Sequence, residues 1–288
     1  MHTQFLQIGK HQLAATCLNL GTPGEPVILL HGITSSIYAW AIQPPYVLAQ
    51  GPCYSLSLPG HFPATFPADL PPEALTAEMI AHVLIAAIRE LVGDRPVTLI
   101  GHSTGGFAAL AVAAYAPDMA RRVVSVCGFA QGRWTGALGL YQKLVRRGTP
   151  GRAVYKTLYK LAGLSPTLLT TAMRIYVADR HAFYAHPGLP DLIHKAYPAF
   201  KQLDLDVMVR YFDRMPDIDI SDCLPRITAS ALALTGDRDP TVPPAQSRLI
   251  AAQISQSSLV MLSGAGHFPF LERPAEYHQQ LSAWLTQL

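Results

Sequence analysis

A serine between two glycines (Gly101-His102-Ser103-Thr104-Gly105), two carboxylates at Asp237 and Asp239, and a histidine in Gly266-His267 could do chemistry together. A serine hydroxyl is a poor nucleophile at neutral pH and needs a base within hydrogen-bond reach. A histidine can take its proton and return it to a leaving group, provided a carboxylate fixes its tautomer and stabilises the imidazolium. The oxyanion that develops on an attacked acyl group needs preorganised donors, worth about 3–4 kcal/mol for a single one. A helix beginning at Ser103 points its free N–H groups at that charge, that of Thr104 first.

The elements that would position these residues can be read as runs and periods. Pro96-Val97-Thr98-Leu99-Ile100 is a strand and Phe107–Ala114 a run of small residues in a helix, so Ser103 sits at the apex of a tight turn. Gly101 and Gly105 leave room for the strained backbone this requires. Further strands are expected at His2–Ile8, Leu13–Leu20, Pro26–Leu30, Tyr54–Leu58, Arg122–Cys127, Ala229–Leu234 and Ser258–Leu262. Helices are expected at Ala39–Gln50, Glu73–Val92, Pro244–Gln253 and Pro274–Gln287. Between Phe129 and Met215 the rhythm changes. Trp134–Arg147, Arg152–Ala162, Pro166–Tyr184 and Leu205–Met215 carry helix-spaced apolar residues with no strand between them.

This gives a mostly parallel sheet of eight strands, with helices on both faces. An all-helical insertion, residues 129–216, interrupts a core of residues 1–128 and 217–288. Ligands of open parallel sheets bind at the carboxyl ends of the strands. His31-Gly32, Pro59-Gly60-His61, Ser103, Asp239 and His267 all follow strands and should meet on one rim.

Composition bounds the function. Half of the 288 residues are apolar and only 14% are charged, which is a folded protein. A net charge of +3 is too small for nucleic-acid binding. No apolar run reaches the 18–20 or so residues of a membrane span, and the N-terminus lacks the pattern of a signal peptide. Cys17, Cys53, Cys127 and Cys223 are widely spaced, as buried reduced thiols of a cytoplasmic protein would be. His181 and His186 near Asp179 lack metal-ligand spacing, so neither metal nor cofactor is expected.

These motifs together resemble the α/β-hydrolase family over nearly the whole chain outside the insertion. The residues that carry the resemblance are His31-Gly32, Gly-x-Ser-x-Gly at 101–105, Gly236-x-x-Asp239 followed by Val242-Pro243, and Gly266-His267. The resemblance implies an α/β-hydrolase sheet with a helical cap and the order nucleophile Ser103, acid Asp239, base His267. It makes Asp237 a turn residue bonding its own backbone. It adds the Ile33 N–H to that of Thr104 as an oxyanion donor. His31, Trp134 and Phe268 are expected as substrate contacts, with His31 read as a hydrogen-bonder that fixes its loop and not as a base. One departure is evident: Ser57 and Phe62 stand where the family commonly has Asp and Gly around Pro59-Gly60-His61.

The implied function is a serine hydrolase cleaving a carboxylic ester of a fairly apolar small molecule through an acyl-enzyme. The same set also serves C–C bond hydrolysis, a menaquinone-pathway type of elimination, and amide, lactone or thioester hydrolysis. A ligand-binding protein without turnover is the third reading. Between Phe129 and Met215 there are thirteen Lys/Arg against five Asp/Glu. That basic insertion, with seven of the twelve tyrosines, suits an apolar cavity roof whose outer face meets solvent, an anionic substrate or a lipid surface.

Overall fold

The computed structural model describes residues 3–40 and 44–287. In chain order the elements begin β1 (Thr3–Ile8), β2 (His11–Asn19), β3 (Val27–Leu30), α1 (Pro45–Leu48), β4 (Cys53–Leu56), α2 (Ala77–Val92), β5 (Val97–His102), α3 (Thr104–Tyr115) and β6 (Ala120–Val126). Six helices follow: α4 (Gly136–Val145), α5 (Thr149–Ala162), α6 (Pro166–Met173), α7 (Arg180–Ala185), α8 (Leu189–Phe200) and α9 (Leu205–Arg214). Then come β7 (Ser230–Gly236), α10 (Ala245–Gln253), β8 (Ser257–Leu262), α11 (Pro269–Glu272) and α12 (Pro274–Thr286).

The eight strands form one open sheet in the order β1-β2-β4-β3-β5-β6-β7-β8. The pairs β1–β2 and β2–β4 are antiparallel and the other five are parallel. Parallel strands covered on both faces carry continuous apolar runs, and alternate residues serve opposite layers. Val97 and Leu99 of β5 pack with α2 and α3, whereas Ile100 packs with α12. In β7, Ala231 and Ala233 face the first layer and Leu232 and Leu234 the second. The small residues of α3, all but Tyr115 buried, let that helix lie close against the sheet behind Ser103.

Several expectations are corrected. Over Ala39–Gln50 the described residues form a 3₁₀ turn, Ile37–Trp40, and one helical turn at α1, with Pro44 and Pro45 at the break; residues 41–43 lie outside the described residues, as does His2 of the first strand. Pro166–Tyr184 is two helices, α6 and α7, joined by a 3₁₀ turn and an extended link. Helix α8 was not anticipated: Pro190 opens it and Pro198 interrupts its interior, so proline hid its apolar period. All four cysteines are free thiols, but only Cys53 and Cys127 are buried. Among the described residues no helix is long and apolar enough to cross a membrane.

Candidate active site

Ser103 follows β5 and caps α3 with φ 56° and ψ −118°, a left-handed backbone that few serines adopt. Two glycines make the turn possible through close approach. A Cβ on Gly101 would stand 2.0 Å from the Gly105 carbonyl oxygen, and one on Gly105 would stand 2.1 Å from the Leu30 carbonyl oxygen.

His267 lies in the loop after β8. Its Nε2 is 3.0 Å from Ser103 Oγ and its Nδ1 is 2.6 Å from Asp239 Oδ2. A carboxylate oxygen accepts, so Nδ1 carries the ring proton and Nε2 is left to accept from the serine hydroxyl. The other oxygen of Asp239 accepts the N–H of Thr241 at 2.8 Å and of Val242 at 2.9 Å. All three residues are buried. A hydroxyl so placed can pass its proton to the imidazole as Oγ attacks. Asp237 does not bond its own backbone as expected; its Oδ1 accepts the Gly264 N–H at 2.7 Å and so ties the Asp239 loop to the His267 loop.

The Ile33 and Thr104 N–H groups have no acceptor among the described residues. Both flank the serine: Ile33 follows Gly32, whose own added Cβ would lie 3.3 Å from Ser103 Cβ, and Thr104 opens α3. Thr34, with φ 57°, completes the turn that carries Ile33.

Of the other expected contacts, Phe268 lines the cavity above Ser103, its ring 5.5 Å from that of His102. His31 also lines the cavity, but neither ring nitrogen is free. Nδ1–H donates to Gly32 O at 2.8 Å and Nε2 accepts the Leu58 N–H at 3.2 Å. Burial pushes its pKa down to about 4, so it is a neutral brace and not a polar contact. Trp134 does not line the cavity. It is packed in the core between Phe129 and Phe212, with ring centroids 5.4 and 5.6 Å away. Ser57 spends its hydroxyl on the Ala14 N–H, and the Pro59 carbonyl accepts the Tyr211 hydroxyl at 2.9 Å, so α9 braces that loop.

One residue escaped sequence reasoning altogether. The buried Glu272 carboxylate accepts four backbone N–H groups: Ala178 and Gly266 at 2.8 and 2.9 Å, Asp179 at 2.9 Å and Phe268 at 3.2 Å. It thus holds both neighbours of His267 and the 178–179 link at once, while the His267 N–H donates to Tyr176 O at 3.0 Å. Burial raises the Glu272 pKa and the four N–H bonds oppose that rise. Cys127 also lies near Asp239 and His267, within 4.8 Å. Burial pushes its thiol well up, so it stays protonated, and both Asp239 oxygens are already engaged. The donor set suits proton transfer better than metal ligation.

The cavity holds about 430 Å³ and runs between Ser103 and α4–α9. Tyr141, Tyr155, Tyr159, Tyr176 and Phe200 line it from the helical insertion, and Val47, Ile100 and Leu281, which pack together in one layer of the core, also reach it. Among the described residues no Lys, Arg, Asp or Glu lines it.

The family model described as "Alpha/beta hydrolase family" matches residues 27–280. A curated (E)-2-((N-methylformamido)methylene)succinate hydrolase of Acinetobacter baylyi is 24% identical over 262 residues, 91% of this chain and 90% of that protein. A pimeloyl-[acyl-carrier protein] methyl ester esterase of Neisseria meningitidis serogroup C is 26% identical over 247 residues, 86% and 88% of the two chains. Among solved structures, a thermophilic esterase of Thermogutta terrifontis superposes with TM-score 0.73 at 22% identity over 99% of this chain and 98% of that one. The enol-lactonase of Burkholderia xenovorans gives 0.76 at 18% identity over 98% and 100%. Those two share the fold.

Proposed function

The chain belongs to the alpha/beta hydrolase family, and on that footing we propose that it hydrolyses carboxylic esters of uncharged, apolar small molecules. The observation that carries this reading is the unbroken chain Ser103 Oγ–His267–Asp239, with links of 3.0 and 2.6 Å, beside a cavity that no Lys, Arg, Asp or Glu lines among the described residues. The name of the Neisseria relative, an ester hydrolase, supports an ester bond.

In this reading Oγ attacks the ester carbonyl and its proton passes to His267 Nε2. The oxyanion is met by the Ile33 and Thr104 N–H groups. The tetrahedral adduct collapses: the C–O bond to the alcohol breaks, the alcohol takes the proton from His267, and the acyl group stays on Ser103. Water then gives a proton to His267 and attacks the acyl carbon, and the acid leaves as Oγ regains the proton. Helices α4–α9, within the 129–216 insertion, act as the cap that excludes water. The steps use the Ser103, His267 and Asp239 side chains, two backbone N–H groups and water. The four free cysteines suit a reducing, cytoplasmic setting.

The test is the initial hydrolysis rate of p-nitrophenyl esters of increasing acyl length, with Ser103→Ala in parallel. Turnover that peaks at one length and falls at least about a thousandfold in the variant supports the reading. No turnover at any length by folded protein would overturn it and turn attention to C–C, amide or lactone bonds.

A further inference from the structure

From Phe129 to Ala178 the chain carries eight Lys/Arg and no Asp or Glu. Acids from other segments neutralise some of these: Arg146 pairs with Asp217, Arg152 lies 3.7 Å from Asp213, and Lys156 bonds Asp206. Lys143, Arg147, Lys160 and Arg174 have no acidic partner among the described residues.

The same stretch exposes apolar side chains. Five of the eleven large apolar residues exposed among the described residues stand on α5, α6 and the turn between them: Val154, Leu158, Leu161, Leu164 and Leu168, at 43–67% exposure. Residues 154, 158 and 161 fall at helical spacing on one side of α5, while Gly151 and Tyr155 are its buried residues. Leu158 is exposed and also lines the cavity, as do Leu169 and Met173 of α6. The outer apolar surface is therefore continuous with the wall that leads to Ser103.

We infer that this α5–α6 surface docks on an anionic lipid bilayer. The apolar side chains enter the headgroup boundary, and the unpaired bases rest against anionic headgroups. A second copy fits less well, because two faces that each carry the unpaired Arg147 and Lys160 would repel. An acidic soluble partner would match the bases but leaves the leucines without a reason. This inference goes beyond the hydrolase reading, and docking needs no turnover. It gives the cavity an entrance at the bilayer, from which an apolar molecule reaches Ser103 without crossing water.

The test is co-sedimentation with vesicles of phosphatidylcholine alone and of equimolar phosphatidylcholine and phosphatidylglycerol, using the full chain and its Ser103→Ala variant. Binding of both proteins to the anionic vesicles, weakened by salt, is the expected result. Two double variants outside the cavity, Leu161→Gln/Leu164→Gln and Arg147→Gln/Lys160→Gln, should each lower partitioning by on the order of tenfold. Turnover of a soluble ester should be unchanged in both. Protein left in the supernatant with anionic vesicles overturns the inference. So does binding that neither double variant weakens. A dimer in light scattering that Leu161→Gln/Leu164→Gln dissociates would assign the face to a second copy and overturn it too.

Discussion

His102 donates from Nε2 to the backbone carbonyl of His267 at 2.8 Å, so the residue just before Ser103 holds the loop of the imidazole that faces Ser103. The two rings lie 4.9 Å apart and both are buried. A carbonyl only accepts, which fixes the proton of His102 on Nε2. Burial, with the neighbouring His267, pushes its pKa down to about 3 and keeps it neutral. Removing the donor strands a buried carbonyl, at a cost of about 1–3 kcal/mol. His102→Phe should therefore lower kcat on a soluble ester at least about tenfold with little change in KM, and His102→Gln, which can still donate, should lose less. Equal kcat in wild type and His102→Phe would show that the loop is held without this bond.

Glu272 acts on the same loop from the other side. Its carboxylate gathers N–H groups from Gly266 and Phe268, the neighbours of His267, and from Ala178 and Asp179 before α7. Glu272→Ala removes the acceptor of four backbone N–H groups, that of Gly266 buried and the others half-buried, and should cost about 3 kcal/mol or more in denaturant unfolding. Glu272→Gln keeps one accepting oxygen, so it should recover part of that loss. At a temperature where both variants are folded, kcat should fall more than KM changes, because Glu272 holds both neighbours of His267 but, of the cavity wall, only Phe268 among its four donors. Stability lost with kcat intact would limit Glu272 to holding the chain together.

Gly105 is a steric requirement. An added Cβ would meet the carbonyl oxygens of Leu30 and His31 at 2.1 and 2.6 Å, and those are backbone atoms at the end of β3. Gly105→Ala must push β3 and the turn carrying Ile33 away from α3. We expect a protein destabilised by more than about 3 kcal/mol, or one that folds and does not turn over ester. Gly21→Ala is the control, since its nearest atom is Asn19 Oδ1 at 3.8 Å, and it should melt with the wild type. Equal melting of Gly105→Ala and wild type would show that the strand and helix can separate without loss.

What the amino-acid order shows and hides follows from the range of each interaction. Strands such as Val97–His102 are legible because both faces are buried and every position must be apolar or small. Ser103, Asp239 and His267 are legible because each follows a strand, and a parallel sheet delivers strand ends to one rim. Trp134 deceived because its surroundings, Phe129 and Phe212, are set by how α4 and α9 pack. His31 was legible in part: it reaches the cavity wall, and Gly32 and Leu58 use its nitrogens, as expected of a residue that fixes its loop by hydrogen bonds. Glu272 left no signal, since its partners are backbone N–H groups, which have no letter in a sequence. Helix α8 was hidden by Pro198, which tertiary packing of Leu189, Ile193 and Ala199 overrides.

Acid sensitivity follows from three histidines buried around Ser103. Desolvation is the first cause in each: His31 is pushed down to about 4, His102 to about 3, and His61 well below its ordinary value of 6.5, with His31 adding to the last. Each binds a proton in the unfolded chain near pH 6.5 and in the folded chain only far below that. Between those limits the unfolded state holds more protons, so stability rises with pH. Their contribution is complete above about pH 7 and is lost as pH falls through 6.5 toward 4; the His31 shift alone is worth about 3 kcal/mol between the limits. The carboxylates whose pKa is lowered, such as Asp179 and Asp217, act in the same direction but below their ordinary value of 3.8. Urea midpoints measured from pH 7.5 to 5 therefore read the lowered histidines, to which His11, His186 and His278 add in the same direction, while Glu272, raised above 4.5, acts in the opposite direction at the acid end. They should fall steadily below pH 6.5 with unchanged slope in denaturant. A midpoint that stays level down to pH 5 would mean that water reaches these rings and that the rim around Ser103 is not packed as described.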